Sequence, residues 1–352
     1  MLSKAHFPKR TLTAGLLASM LAMFAVPGVA DDADSVLALS TDNDLFAPTR
    51  TDRDYTAGVA ITYATNSEHF GENPFARSLG ALDSGWLSAF SPEGLTTRAN
   101  AVEFGVYGFT PEKIEASEIL YEDRPYSSLV YVSASRSYTG AGGDDGWTTS
   151  LTLGALGLDV FETGQNAIHP LVGSEKAEGW DQQISEGGEP TLRYSAAYHQ
   201  YLQSSEPDSQ FKVTYFGSVG YLTEVGAALV FRDGLISSPD NRFNPELMAY
   251  GERAPGVSTG GGREAYFWGG LALKARAYNA FLQGQFRDSD HELGANDVNI
   301  LLGEVWAGYT HGLSRDFELS YVLRVQTSEI KDGKGDRTLA WGGLVLSKQL
   351  GG

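Results

Sequence analysis

The stretch Phe317-Glu318-Leu319-Ser320-Tyr321-Val322-Leu323-Arg324-Val325 decides the fold. Its odd positions are all apolar, while its even positions include Glu318, Ser320 and Arg324. A period of two sends successive side chains to opposite faces of a strand, so one face is oily and the other carries charge. Such a segment of about ten residues is what a tilted strand needs to cross a bilayer.

The same alternation recurs along the chain. Phe211, Val213, Tyr215 and Val219 alternate with Lys212, Thr214, Phe216 and Ser218. Phe267, Leu271, Leu273 and Ala275 share a face, with Lys274 and Arg276 on the other. A composition with 42 Gly, 17 Tyr and 17 Phe suits a β-barrel whose wall alternates, and equally a soluble sandwich. Aromatic residues on the oily face at strand ends favour the barrel. The expected fold is all-β, an antiparallel transmembrane β-barrel of about 12 strands, outer-membrane type. The expected strands are 36–42, 57–64, 100–108, 127–137, 147–156, 191–203, 211–219, 221–231, 266–277, 301–311, 315–326 and 338–347. The Asn279–Asp297 stretch leaves room for a further strand.

The first residues read as an export signal. Lys4, Lys9 and Arg10 precede an apolar run from Leu12 to Val26, then Pro27-Gly28-Val29-Ala30 with small residues for cleavage. The run is short for a spanning helix. Residues 1–30 are therefore expected to be a signal peptide and 31–352 a single barrel domain, with no low-complexity linker inside it. The absence of Cys excludes thiol catalysis and Cys-based zinc sites. A net charge of −18 argues against nucleic acid as a partner, because its binders need a basic face. Excess acid in the loops either keeps them solvated or holds divalent cations near an anionic lipid surface.

If the first strand starts from the periplasm, connections 43–56, 109–126 and 157–190 all open on the outer face. The long segments 65–99 and 232–265 then fall on the periplasmic side, where turns are usually short. Each outer connection carries a motif. The first holds Asn43-Asp44 and, before the next strand, Asp52-Arg53-Asp54-Tyr55-Thr56. Its oxygen-rich side chains suit calcium, and they equally suit turn formation. The second holds Lys113 and Asp123-Arg124-Pro125-Tyr126. Arg124 has the geometry for a phosphate or for a lumen ion pair, and Tyr126 for an interfacial aromatic belt. The third holds Gln165-Asn166, His169, Gly173, Glu175, Lys176 and Gly179-Trp180-Asp181-Gln182-Gln183. His169 lies six residues before the Glu175 carboxylate, and is either a general base or an exposed loop imidazole. Trp180 and its neighbours have the composition of a short helix or interfacial loop. His199 shares a strand with Arg193 on the lumen side and reads as structural, and His69, His291 and His311 have no convincing partners. A serine hydrolase elbow, Gly-x-Ser-x-Gly, is absent, although a serine–histidine pair on adjacent strands stays open.

In combination and order, these residues resemble the outer-membrane lipid A 3′-O-deacylase family over most of the chain. The resemblance rests on Asn43-Asp44, Asp52 to Gly58, Asp123 to Tyr126, and Gln165-Asn166 to Gln183. It implies a twelve-stranded outer-membrane barrel, placed there by barrel-assembly machinery. It also implies a calcium-dependent esterase that removes the 3′-linked acyloxyacyl group of lipid A within lipopolysaccharide. On that resemblance His169 is the base, Glu175 its acidic partner and a metal ligand, and Asn43 an oxyanion donor. Asp44 and Thr56 are the other candidate calcium ligands. The family's basic pair aligns poorly here, which leaves Lys113, Arg124 and Lys176 as the candidate contacts to substrate phosphate. The end Lys348-Gln349-Leu350-Gly351-Gly352 lacks the terminal aromatic residue common in such barrels. An outer-membrane phospholipase and a non-enzymatic structural or transport barrel are the alternatives.

Overall fold

The computed structural model describes residues 35–48, 53–67, 70, 73–91, 94–162, 176–202, 208–238, 240, 243–248, 250–256 and 264–350. The alternation that opens the sequence reading is the wall of a closed barrel. Phe317, Leu319 and Tyr321 are exposed on the outside, while Arg324 and Gln326 are buried inside. The strands are β1 Ser35–Asn43, β2 Asp54–Thr65, β3 Leu95–Thr110, β4 Ser127–Gly140, β5 Asp145–Leu156 and β6 Glu189–Leu202. The second half is β7 Ser209–Gly220, β8 Leu222–Leu235, β9 Ala265–Asn279, β10 Leu301–Gly312, β11 Phe317–Gln326 and β12 Leu339–Leu350. Each pairs antiparallel with its sequence neighbour, and β1 closes on β12 from Ser35↔Leu350 to Asn43↔Gly342. Closure leaves no edge to satisfy in lipid, so every strand finds its main-chain partners within the sheet. The expected export signal lies outside the described residues.

All twelve expected strands are present, with ends moved by a few residues. Beyond Asn279, the last residue of β9, the stretch to Asp297 holds no further strand. It begins with the helical turn Ala280–Gln283 and ends beside an isolated bridge, Val298↔Ile330. Among the described residues no helix is long and apolar enough to cross a membrane.

Side chains and part of the β8–β9 connection occupy much of the lumen. At the upper rim, where β1 ends at Asn43, Tyr55, Tyr107, Phe109, Tyr250 and Trp341 pack ring against ring. Around this cluster, buried charges pair across the interior: Lys274 and Arg324 with Glu304 at 2.6 and 2.7 Å, and Arg276 with Glu224 at 2.8 Å. His199 sits among Thr214, Thr148 and Glu246, in the lumen position expected from its strand. The long connection between β8 and β9 enters this space from the lower rim. It delivers Glu246 to Lys212 at 2.9 Å, Arg253 to Asp42, and Glu252 to Thr152 at 3.0 Å. The second long lower connection, between β2 and β3, takes the opposite course. It carries α1 (Pro74–Ser84) and α2 (Leu87–Phe90) and packs on the outside of β3, β4 and β5. The described parts of both long connections pack on the barrel, one inside and one outside, which accounts for their length at an end where turns are usually short.

Candidate active site at the outer rim

Asp42 points into the lumen, bonded to Arg253 and Tyr55. Alternation therefore turns Asn43 to the outside of the wall. Its side-chain oxygen accepts from the Leu45 N–H at 2.7 Å and caps the short turn Asp44–Phe46. Its amide nitrogen donates to the Thr56 carbonyl at 2.7 Å, tying the end of β1 to the start of β2. An amide has two N–H donors, so this bond orients the second one and leaves it for another acceptor. Asp44 is buried, and its carboxylate accepts from the Arg53 N–H.

Thr56 is the extra residue of a β-bulge, since the β2–β3 register shifts between Tyr55 and Ala57. A bulge re-aims one side chain at a strand end. Two residues earlier Asp54 has φ +67°, a left-handed conformation that Asp tolerates better than most residues. Asp54 is held there by Arg337 at 2.8 Å and Arg124 at 3.7 Å. Asp123 takes Arg337 from the other side at 2.8 Å. Burial raises the Asp123 carboxyl, but Arg337 and the N–H groups of Glu112 and Arg124 outweigh it and hold the group below the usual carboxylate range.

The second and third upper connections are stitched together over the wall. The Glu178 N–H donates to Ile114 O at 2.9 Å, Tyr126 Oη donates to the same carbonyl at 2.8 Å, and Gln182 Nε2 donates to Ser117 O at 2.8 Å. Ile114, Tyr126, Phe161, Ala177 and Trp180 form one buried cluster against outward-facing Ala57 and Val106. Trp180 opens the short turn Trp180–Gln182, with ring centres 4.9 Å from Tyr126 and 5.1 Å from Phe161. Gly179 is required beside it, because a Cβ there would sit 2.3 Å from the Tyr126 ring. Phe161 precedes and Ala177 follows the segment 163–175, so both anchors of that segment belong to the cluster that packs against Ala57, the residue after Thr56.

His169 and Glu175 lie outside the described residues, as do Gln165, Asn166 and His69. Asn43, Asp44 and Thr56 are brought together as the sequence suggests. Lys113 and Lys176 are exposed on the two stitched connections, and Lys176 stands 3.9 Å from Glu178. Nearby, partial burial raises the Glu162 carboxyl, with Asp181 and Asp159 adding to the effect and Lys176 opposing it.

Two readings need correction. Arg124 offers no face to a substrate phosphate: it is 2% exposed, bonds Glu329 at 2.6 Å and lies 4.7 Å from the Phe109 ring centre. It is the lumen ion pair, held inward by carboxylates far away in sequence. Tyr126 belongs to no aromatic belt, because the third connection covers it. The sequence reading also missed the Asp54–Arg337–Asp123 bridge. Only an arginine 283 residues after Asp54, with no periodic signal, could have revealed it.

The described donors at this rim are oxygens, which fits a hard cation such as calcium. Among the described residues no group of three acidic or histidine side chains is complete enough to hold a metal.

A family model described as outer membrane protein LpxR matches residues 16–350. The chain belongs to the LpxR family. The resemblance drawn from the rim motifs is therefore to the right family, and the barrel is an outer-membrane protein. The solved structure of LpxR from Salmonella typhimurium shares the fold, with a TM-score of 0.66 at 17% identity over 89% of this chain and 99% of that one. The translocator domain of the autotransporter NalP from Neisseria meningitidis is more distant, with a TM-score of 0.42 at 10% identity over 97% of each chain. No curated protein matches the chain.

Proposed function

We propose that this LpxR-family barrel is a carboxylic ester hydrolase that removes the 3′-linked acyloxyacyl chain of lipid A at its outer rim. Family membership supports the substrate class. The observation that carries the reading is the convergence of both anchors of the His169 segment on the wall beside Asn43, Asp44 and Thr56.

In this mechanism His169 takes a proton from water as it adds to the ester carbonyl. The oriented second N–H of Asn43 donates to the oxygen on which charge develops. Collapse breaks the bond between the acyl carbon and the sugar oxygen, and the His169 proton passes to that oxygen. Asp44, Thr56 and Glu175 are the residues that would hold calcium, whose charge when bound stabilises the developing oxyanion. Lys113 and Lys176, exposed on the two stitched connections, are the residues that would meet headgroup phosphate. The acyl chains stay in lipid against the apolar outside of the wall.

A transport barrel needs a water-filled path, and here the aromatic cluster and the β8–β9 connection occupy the lumen. The test compares lipid A mass spectra of cells that carry the wild-type chain, His169→Asn or neither. The expected result is loss of the acyloxyacyl mass with the wild type alone, a variant that remains a heat-modifiable barrel, and no turnover of purified enzyme in excess EGTA. Identical spectra in all three strains sink the enzyme reading, and cleavage of phospholipid but not lipid A assigns it to a phospholipase. Full turnover in EGTA removes calcium alone.

A further inference from the structure

The helices between β2 and β3 take no part in the proposed chemistry, yet they are built onto the barrel with care. Phe75 and Leu79 of α1 pack on Val102, Val132, Ala134 and Leu151. These wall residues face outward, because their neighbours Glu103, Ser133 and Thr152 carry lumen hydrogen bonds. Polar side chains also face outward here. The Asp83 carboxylate, 2% exposed, accepts from Tyr138 at 2.6 Å, Thr149 at 2.8 Å and Tyr194 at 2.8 Å. Arg136 donates to Asn100 at 2.8 Å and to Ala76 O at 3.3 Å. A carboxylate and a guanidinium on the lipid side of a barrel are costly unless they are covered and paired, and α1 does both.

The wall fixes the level of the pair in the membrane. Trp147 and Tyr198 stand near the lower ends of β5 and β6 with ring centres 5.1 Å apart, as in an aromatic girdle. Trp86 joins this girdle at 5.1 Å from Trp147 and donates its N–H to Tyr194 at 2.8 Å, and Phe90 lies 6.1 Å from Trp147. Their outer side presents Leu82, 48% exposed, and Phe90, 68% exposed, with Arg77 also exposed. Through Trp147 this surface adjoins the outward face of β5.

We propose that α1 and α2 form an interfacial flange seated in the periplasmic leaflet, with Leu82 and Phe90 among phospholipid acyl chains. The connection that sequence would leave in the periplasm is then part of the membrane-embedded surface. A short amphipathic helix with an apolar edge and a nearby cation is the composition that lies in such an interface. The occupant is the bilayer, because the flange continues a wall already in contact with it.

The chain has no cysteine, so single-cysteine variants label at one place. Phe90→Cys and Leu82→Cys would carry an environment-sensitive fluorophore in phosphatidylethanolamine and phosphatidylglycerol vesicles containing brominated acyl chains. Leu273→Cys, 70% exposed on the outer wall, and Arg315→Cys, in a lower turn, set the lipid and water limits. Quenching and a blue shift at 82 and 90 close to those at 273 are expected. Values matching 315 overturn the proposal and point to a surface that faces water or a periplasmic protein. In Asp83→Ala the fluorophore at 90 should lose its quenching while the barrel stays heat-modifiable. If that variant fails to fold, the first comparison still decides.

Discussion

At the residue scale the wall alone does not tell Asn43 from its neighbour Asp42. One place along β1 separates a lumen ion pair with Arg253 from a rim amide bonded to Thr56. Asn43→Ala removes both the cap on Leu45 and the oriented N–H. Losing one oxyanion donor costs about 3 kcal/mol in the barrier, so lipid A turnover should fall about a hundredfold, read as kcat on purified enzyme with folding checked by heat modifiability. Turnover within twofold of wild type would take Asn43 out of the chemistry. Arg124 teaches the converse. Its motif is compatible with phosphate binding and with a buried ion pair, and the choice depends on Glu329, 205 residues away.

Among the elements, strands were legible because their signal is local and periodic. The loops were legible only as motifs. Trp180 reads from sequence as part of a short helix or an interfacial loop; the structure gives a short turn and shows that its ring also packs the third connection on Tyr126 and Phe161. Trp180→Ala should release that connection, since removing a buried tryptophan costs ~3–5 kcal/mol. Limited proteolysis is expected to cut between 157 and 189 while the rest of the barrel resists, and activity should fall with the cutting. Unchanged protection would show that the main-chain bonds of Glu178 and Ile184 suffice to hold the connection. The Thr56 bulge belongs to the same scale: a pattern of alternation places β2 but cannot show which residue is extra, because the shift is defined against the facing strand.

Across the whole molecule, lumen contacts tie together elements that the sheet leaves apart. Glu329 binds Arg124, Arg276 and the Tyr250 hydroxyl at once, joining β9, the β8–β9 connection and two upper connections. Glu329→Ala leaves Arg276 with Glu224 and Arg124 with Asp54 as their remaining carboxylate partners, and removing one partner of a buried pair costs about 3–5 kcal/mol. The urea midpoint for loss of the heat-modifiable form should drop, with Glu329→Gln lying between the variant and wild type. Equal midpoints would mean that water replaces the carboxylate without cost.

The sequence by itself determined the barrel, its twelve strands, the family and the rim motifs that carry the proposed chemistry. Those follow from a two-residue period and from short runs of side chains, which neighbours in the chain are enough to specify. Tertiary structure alone decided that one long lower connection fills the lumen and the other clasps the outer wall. It also decided that Arg124 turns inward and that the third connection covers Tyr126. Each of those outcomes depends on partners brought close only when the sheet closes, and a free energy shared between distant residues leaves no periodic trace in the chain.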